Sequence, residues 1–303
     1  MILSIVIPCY NEEDNIGRTL DSVYRFIPES INFEVLVIDN GSSDKSVSIA
    51  KTYNARVLHS NSNTVGAVRN DGVRSAIGDI LLFIDADVTL TEDWSRTIVN
   101  ALASLNENPL NTYGSHCSVP TDSKSGILNK YWFKAIEVRS SSHVGTGHML
   151  IKRSTFDLVG QFNENLKSGE DYDICKKIEN RGGKIVEIES LKVFHYGYPR
   201  SLVEFYKREL WHGKGDWINF GTSIKSKVWL LSIVNIFLLL LILISLGLGL
   251  YTESLILFFS YTLFLGFISY KKFGIFDGIY GFLVRTLIFS IYLTARFFSF
   301  TLR

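Results

Sequence analysis

The chain has 303 residues, 47% of them hydrophobic, which is room for one large domain or two ordinary ones. Lysine and arginine total 31 against 30 aspartate and glutamate, so no global field argues for a nucleic-acid partner. Three scattered cysteines, Cys9, Cys117 and Cys175, lack metal-ligand spacing and read as small core residues of a reducing compartment rather than as a disulfide framework.

Short apolar runs alternate with helical patterns through the first ninety residues. "ILSIVIP" is too short for a signal peptide and lacks its basic flank, so it reads as a strand. In "NEEDNIGRTLDSVYRF", Asn11 is expected to cap a helix whose Ile16, Leu20 and Val23 share one face. "EVLVID", "SSDKSVSIAKTY" with a serine cap, "ARVLHS", "TVGAVRNDGVRSAIG" and "ILLFID" follow. The order βαβαβαβ predicts an α/β fold, a mostly parallel sheet with helices on both faces. In such sheets ligands bind beyond the C-terminal strand ends, here Pro8 to Glu12, Asp39 to Ser42 and Asp85 to Asp87.

Residues 105–147, around "YWFKAIEV", give no clear periodicity. "TGHMLIKRSTFDLVGQF" reads as a strand and a short helix, and "GEDYDICKKIENRGG" as a helix with acids in its first turn and Gly182 past its end. "KIVEIESLKVFHY" reads as one or two strands. "SLVEFYKRELWHGKGDWINF" interleaves aromatics with lysine and arginine, as suits a segment in the headgroup region, where Arg208, His212 and Lys214 are expected to meet lipid.

From Val228 the character changes. Residues 228–250 contain no charge and are long enough to cross a ~30 Å hydrocarbon core, and residues 254–270 form a second, shorter candidate span. Lys225 and Lys227 precede the first span, Lys271 and Lys272 follow the second, and the intervening "YTE" has no basic residue. The positive-inside rule then puts the N-terminal part in the cytosol and the chain in the cell membrane. Residues 279–300 are apolar but contain Arg285 and Arg296, about three helical turns apart on one face. They read as a third span or as an interfacial helix. The interfacial form is favoured because Lys271 and Lys272 hold its start at the cytosolic side. The expected organisation is a domain over 1–200, an amphipathic linker over 201–227 and a membrane region over 228–303.

The chemistry concentrates at "GDILLFIDADVTL", residues 78–90. A buried run ends on Asp85 and Asp87, whose side chains point the same way from an extended chain. Two like charges held together favour a divalent cation, and hard oxygen ligands suit Mg²⁺ or Mn²⁺ beside a phosphate. A solvated turn is the alternative for this pair. His195, at a strand end, reads as a third metal ligand, a diphosphate contact or a satisfied loop histidine. Gly145 and Gly147 either let backbone approach a donor or are turn glycines. Arg69 either reaches phosphate or occupies a solvated helix position.

Taken together, "SIVIPCYNEEDNI", "VLVIDNGSSD", "NTVGAVRNDGVRSAIGDILLFIDADV" and "GTGHMLIKRSTFDLVGQFNENLKSGEDYDICKKI" resemble glycosyltransferase family 2 on the GT-A nucleotide-sugar-binding fold, over roughly residues 2–200. The resemblance implies inverting transfer of a hexose from a nucleoside-diphosphate sugar to a hydroxyl. It implies that Pro8, Tyr10, Glu12 and Asp39 line the nucleotide and that Asp85 and Asp87 hold the metal on the diphosphate. It also implies that Asp171, second acid of "GEDYD", is the catalytic base. Many members have two aspartates where this chain has Asp39–Asn40, which makes one base contact a neutral amide; a UDP-linked donor is still expected. The Gln-x-x-Arg-Trp element of processive synthases is absent, its region reading "YKRELWHGKG", which points to non-processive transfer.

The expected acceptor is lipid-linked or a precursor in surface-polysaccharide biosynthesis, because anchoring places the site at the membrane face. Transfer to a polyprenyl phosphate is the nearest rival, although an ionised acceptor requires no base such as Asp171. A non-catalytic nucleotide-sugar-binding membrane protein and a transporter are more distant. The near absence of polar residues from the apolar segments disfavours the transporter.

Overall fold

The structure, a computed structural model, describes residues 1–115, 117–119, 126–137, 144–217, 223–224, 226–274 and 278–302. Lys225, expected to flank the first span, lies outside the described residues. In chain order the elements begin β1 (Leu3–Cys9), α1 (Ile16–Phe26), β2 (Phe33–Asp39), α2 (Ser46–Ala50), β3 (Arg56–His59), α3 (Val65–Ser75), β4 (Ile80–Ile84) and β5 (Val88–Leu90). They continue α4 (Glu92–Glu107), β6 (Thr112–Gly114), β7 (Cys117–Ser118), a π-turn Asn129–Phe133 leading into α5 (Lys134–Glu137), β8 (His148–Lys152) and α6 (Arg153–Leu158). Then come α7 (Glu170–Glu179), β9 (Ile185–Glu187), β10 (Val193–His195), α8 (Leu202–His212) and three long apolar helices, Lys227–Gly247, Tyr251–Phe273 and Gly278–Phe298. Two compact units result: Met1–Pro120 with Ser140–Tyr198, and Thr121–Arg139 with Pro199–Arg303.

The first unit is built on a seven-stranded sheet ordered β3-β2-β1-β4-β8-β6-β9. β1 pairs in parallel with β2 and β4, and β2 with β3, whereas β8 runs antiparallel to both β4 and β6. Strand periodicity sorts β1 between two cores. Leu3, Ile5, Ile7 and Cys9 join Ile16, Leu20 and Val23 of α1 and Trp94 and Ile98 of α4. Val6 faces the other side, with Val68 and Val73 of α3, Phe156 of α6 and Ile174 of α7. Ile80 through Ile84 are all fully buried, as expected of a central strand covered on both faces. Each such side chain contributes about 1.5–3 kcal/mol by leaving water.

A second sheet, β5-β10-β7, continues from the end of β4. Asp85–Asp87 is the short bridge between the sheets. β10 runs antiparallel to β5 with His195 opposite Val88, so the register sets His195 beside Asp87. Tyr196 N–H donates to the Asp87 carbonyl at 2.8 Å and holds that join.

Two expected caps differ. Asn11 does not start α1; the helix begins at Ile16 with Asn15 at its N-cap. Asn11 instead takes φ 54°, a left-handed conformation that asparagine tolerates, and binds the loop after β2. Its N–H donates to Ser42 Oγ at 2.9 Å, and its Oδ1 accepts from Ser43 N–H at 2.8 Å. Serine does not cap α2, whose N-cap is Lys45; the Asp44 carboxylate accepts from Ser46 N–H at 2.9 Å instead. The reason is common to both: the loops after β1 and β2 interlock, and their short polar side chains serve each other.

In the second unit, the aromatic segment that lacked periodicity has a structural use. Trp132 is buried, with its ring 5.4 Å from Phe205, 5.2 Å from Phe273 and 5.4 Å from Tyr292 between centroids. The three apolar helices, of 21, 23 and 21 residues, are each long and apolar enough to cross a membrane. They are joined by hydrogen bonds. Tyr261 Oη donates to Asn235 Oδ1 at 2.9 Å and lies 2.5 Å from Ser290 Oγ, while Asn235 Nδ2 donates to Thr294 Oγ1 at 3.0 Å. Such bonds between helices hold a bundle where hydrophobicity gives no preference for helix over lipid.

The arginine-bearing face of the last helix turns inward. Arg285 is fully buried, and Arg296 pairs with the buried Glu209 of α8 at 3.0 Å. His212 is half-buried at the end of α8. Burial, helped by the charges of Arg208 and Arg296, pushes its pKa down to about 3. Arg208 lies over the Phe133 ring at 5.1 Å, and the apolar residues that α8 exposes are Leu202, Val203 and Trp211.

Candidate active site

The C-terminal ends of β1, β2 and β4 are adjacent in the parallel part of the sheet, so the three polar clusters come to one edge. Asp39, at the end of β2, is buried, and its carboxylate accepts from Gly41 N–H at 3.1 Å and Ser42 N–H at 3.2 Å. His59 Nδ1, at the end of β3, lies 3.5 Å from the same carboxylate. Pro8 is half-buried, and Tyr10 is 60% exposed, open for contact with a planar ligand.

Glu12 is half-buried and faces the acidic pair electrostatically. Burial pushes its carboxyl up to about 7, opposed by a hydrogen bond from Asn15 Nδ2 at 2.9 Å and reinforced by the charges of Asp87 and Asp85. Crowded acids at one edge are the electrostatic signature of a cation or proton site.

Asp85, Asp87 and His195 each offer a ligand atom, and these atoms all lie within 4.8 Å of one another. His195 Nε2 is 3.3 Å from Asp87 Oδ2, and its ring packs at 4.5 Å on Tyr198, whose hydroxyl donates to the Cys117 carbonyl at 3.1 Å. The donor set fits a hard divalent ion: two carboxylate oxygens and an imidazole nitrogen leave other coordination positions for oxygen ligands. Two glycines leave room around it. A Cβ on Gly147 would stand 3.2 Å from Asp85 Oδ2, and one on Gly197 would overlap Asp87 Oδ2 outright.

Asp171 lies in the first turn of α7, whose N-cap Gly169 has φ 82°, and its Oδ1 accepts from Tyr172 N–H at 2.7 Å. A Cβ on Gly145 would be 3.8 Å from its other oxygen. The residue that joins this helix to the acidic pair is Arg69. It is 2% exposed, not a solvated helix position. Its Nη2 donates to Asp85 Oδ1 at 2.6 Å and its Nη1 to Glu170 Oε1 at 2.9 Å.

Sequence reasoning left Glu170 open between a functional acid and a helix-start acid, and did not single out Gly197. The available signal for Gly197 was "FHYGYP", a glycine between a strand end and a proline. Cys117, read as a core residue, is only half-buried and lies beside Gly147.

The comparisons with known proteins agree with this geometry. Residues 4–135 match the family Glycosyl transferase family 2. Glycosyltransferase AglE of Haloferax volcanii is 26% identical over 227 residues, 71% of this chain and 72% of that protein. The pre-mycofactocin glycosyltransferase of Mycobacterium tuberculosis is 24% identical over 230 residues, 70% of this chain but only 46% of the relative. Among solved structures, a mannosyltransferase from Pyrobaculum calidifontis in complex with GDP-Man and Mn²⁺ superposes with a TM-score of 0.55. That match has 20% identity and covers 74% of this chain and 64% of that one. Its likeness shows the fold. With the parallel-sheet edge, the acidic pair and the family match in agreement, residues 4–135 form a glycosyltransferase family 2 domain, and the fold is that of GT-A proteins.

Proposed function

We propose that this protein is a membrane-anchored, metal-dependent, inverting and non-processive hexosyltransferase. It moves a sugar from a nucleoside diphosphate, expected to be UDP, to a hydroxyl of a lipid-linked or surface-glycan acceptor at the cytosolic face of the cell membrane. The observation that carries the reading is the meeting of Asp85, Asp87 and His195 within 4.8 Å at the sheet edge where nucleotides bind in such folds. The Asp171 helix start, tied to this group through Arg69 and Glu170, supports it.

In this reading Pro8, Tyr10, Glu12 and Asp39 line the nucleotide, and Gly147 leaves space for the donor. Asp85, Asp87 and His195 would hold Mg²⁺ or Mn²⁺, which when bound supplies Lewis-acid stabilisation of the departing diphosphate. Asp171 accepts the proton of the acceptor hydroxyl as its oxygen forms a bond to the anomeric carbon. The bond from that carbon to the diphosphate oxygen breaks on the opposite face, its electron pair leaves with the diphosphate, and configuration inverts. The first turn of α7 holds Asp171 in place, its Oδ1 accepting from Tyr172 N–H at 2.7 Å. Two spans anchor the protein and the last helix lies at the cytosolic face; the pairing of Arg296 with Glu209 of α8, which precedes the first span, supports that choice.

The test is release of nucleoside diphosphate from a panel of UDP- and GDP-sugars with Mn²⁺ or Mg²⁺, repeated in excess EDTA and with Asp87→Asn. The variant and the chelated enzyme should both be inactive, with metal-dependent nucleotide binding weakened in the variant. Full activity in either sinks the metal assignment. Transfer to a polyprenyl phosphate that survives Asp171→Asn would favour the rival acceptor instead.

A further inference from the structure

Arg69 is a buried cation shared by two carboxylates that lie 85 residues apart in the chain. Asp85, on one of its nitrogens, belongs to the candidate metal group; Glu170, on the other, directly precedes the candidate base. Thr146 Oγ1 donates to the same Glu170 Oε1 at 3.3 Å, and the Phe162 ring backs the guanidinium at 5.9 Å. α3 and the start of α7 pack closely here, since a Cβ on Gly66 would lie 3.4 Å from Glu170 Cβ. A guanidinium held out of water is costly unless its charge and donors are matched, and one carboxylate would suffice for charge alone. The second carboxylate has a consequence. Glu170 draws part of the Arg69 charge toward α7, which leaves Asp85 more negative toward an incoming dication. The rigid planar fork meanwhile fixes the end of β4 relative to the first turn of α7.

We propose that Glu170 and Arg69 are a positioning pair. Glu170 balances Arg69 so that Asp85 stays available to a metal, and the Asp85–Arg69–Glu170 bridge sets the metal group and Asp171 at a fixed separation. This rests on the metal and base reading above.

The experiment measures Mn²⁺ affinity of the full chain in detergent without donor, from the paramagnetic-resonance signal of free Mn²⁺. It compares the wild type with Glu170→Gln and with Arg69→Met/Glu170→Gln. Glu170→Gln keeps the shape and leaves Arg69 wholly on Asp85, so Mn²⁺ binding should weaken about tenfold, the low end for partners of metal ligands. The double variant removes the opposing cation and should recover at least half of that loss on a logarithmic scale. Its kcat should stay at least tenfold below wild type with donor KM near normal, because the bridge to α7 is gone. General destabilisation does not produce that split.

The proposal is overturned if Glu170→Gln leaves Mn²⁺ affinity within twofold of wild type, or if the double variant binds as weakly as the single. Wild-type protein that binds no Mn²⁺ sinks the metal reading itself. The bridge is then judged by amide exchange over residues 170–173, which Glu170→Gln should speed at least tenfold and Asp173→Asn should leave unchanged. Equal exchange in the two variants rejects it.

Discussion

His148 makes the stability of the first unit depend on pH in a way that one substitution isolates. It is 1% exposed, and Trp94 Nε1–H donates to its Nε2 at 2.7 Å while its Nδ1 lies 3.4 Å from Ser115 Oγ. Nε2 is therefore the acceptor, and a proton there would break the bond to Trp94. Burial pushes the pKa from 6.5 down to about 3. The folded chain then holds this ring neutral while the unfolded chain protonates it, so the contribution is fully present above pH 6.5 and is lost as pH falls toward 3. Between about pH 7.5 and pH 5 the loss from this group is about 2 kcal/mol, at ~1.36 kcal/mol per unit of pKa difference. Unfolding of full-length protein in detergent, followed by tryptophan fluorescence, should show wild type losing that much more stability than His148→Gln over this interval. The two should run parallel above about pH 7.5. Glutamine retains an acceptor for Trp94 but does not titrate, and the carboxylates common to both proteins cancel in the comparison. Parallel pH profiles down to about pH 5 would refute the reasoning.

Three further outcomes are expected. Asp171→Asn should lower turnover about 10²–10⁴-fold, as loss of a general base does, with donor affinity by calorimetry near wild type; a matching collapse in affinity assigns the residue to donor binding. Gly197→Ala should weaken Mn²⁺ binding about 10–100-fold by displacing Asp87, while circular dichroism stays unchanged; wild-type affinity would show that the added methyl is accommodated elsewhere. A cysteine replacing Phe300, whose ring lies 5.4 Å from Trp217 ahead of the first span, in an otherwise cysteine-free chain, should stay protected from an impermeant thiol reagent on intact cells until the membrane is opened. Labelling from outside supports a third span instead.

Local pattern by itself determined much of this protein. Strand and helix alternation over the first ninety residues follows from residue type and spacing, and so does the placing of Asp85 and Asp87 at the end of a fully buried strand. The long apolar stretches that form the last three helices are equally local. Cap assignments failed at Asn11 and in α2, because the loops after β1 and β2 exchange hydrogen bonds across about thirty residues of chain. What only the tertiary structure decided are the contacts of long separation. The β5–β10 register brings His195 to Asp87, and α3 packing against α7 joins Arg69 to a glutamate 101 residues away. An arginine in a helical pattern is often solvated; here the carboxylates that converge on Arg69 make its burial tolerable. His148 follows the same logic, accepting from Trp94. A buried polar side chain is stable by virtue of partners on other elements, and a one-dimensional pattern does not contain that information.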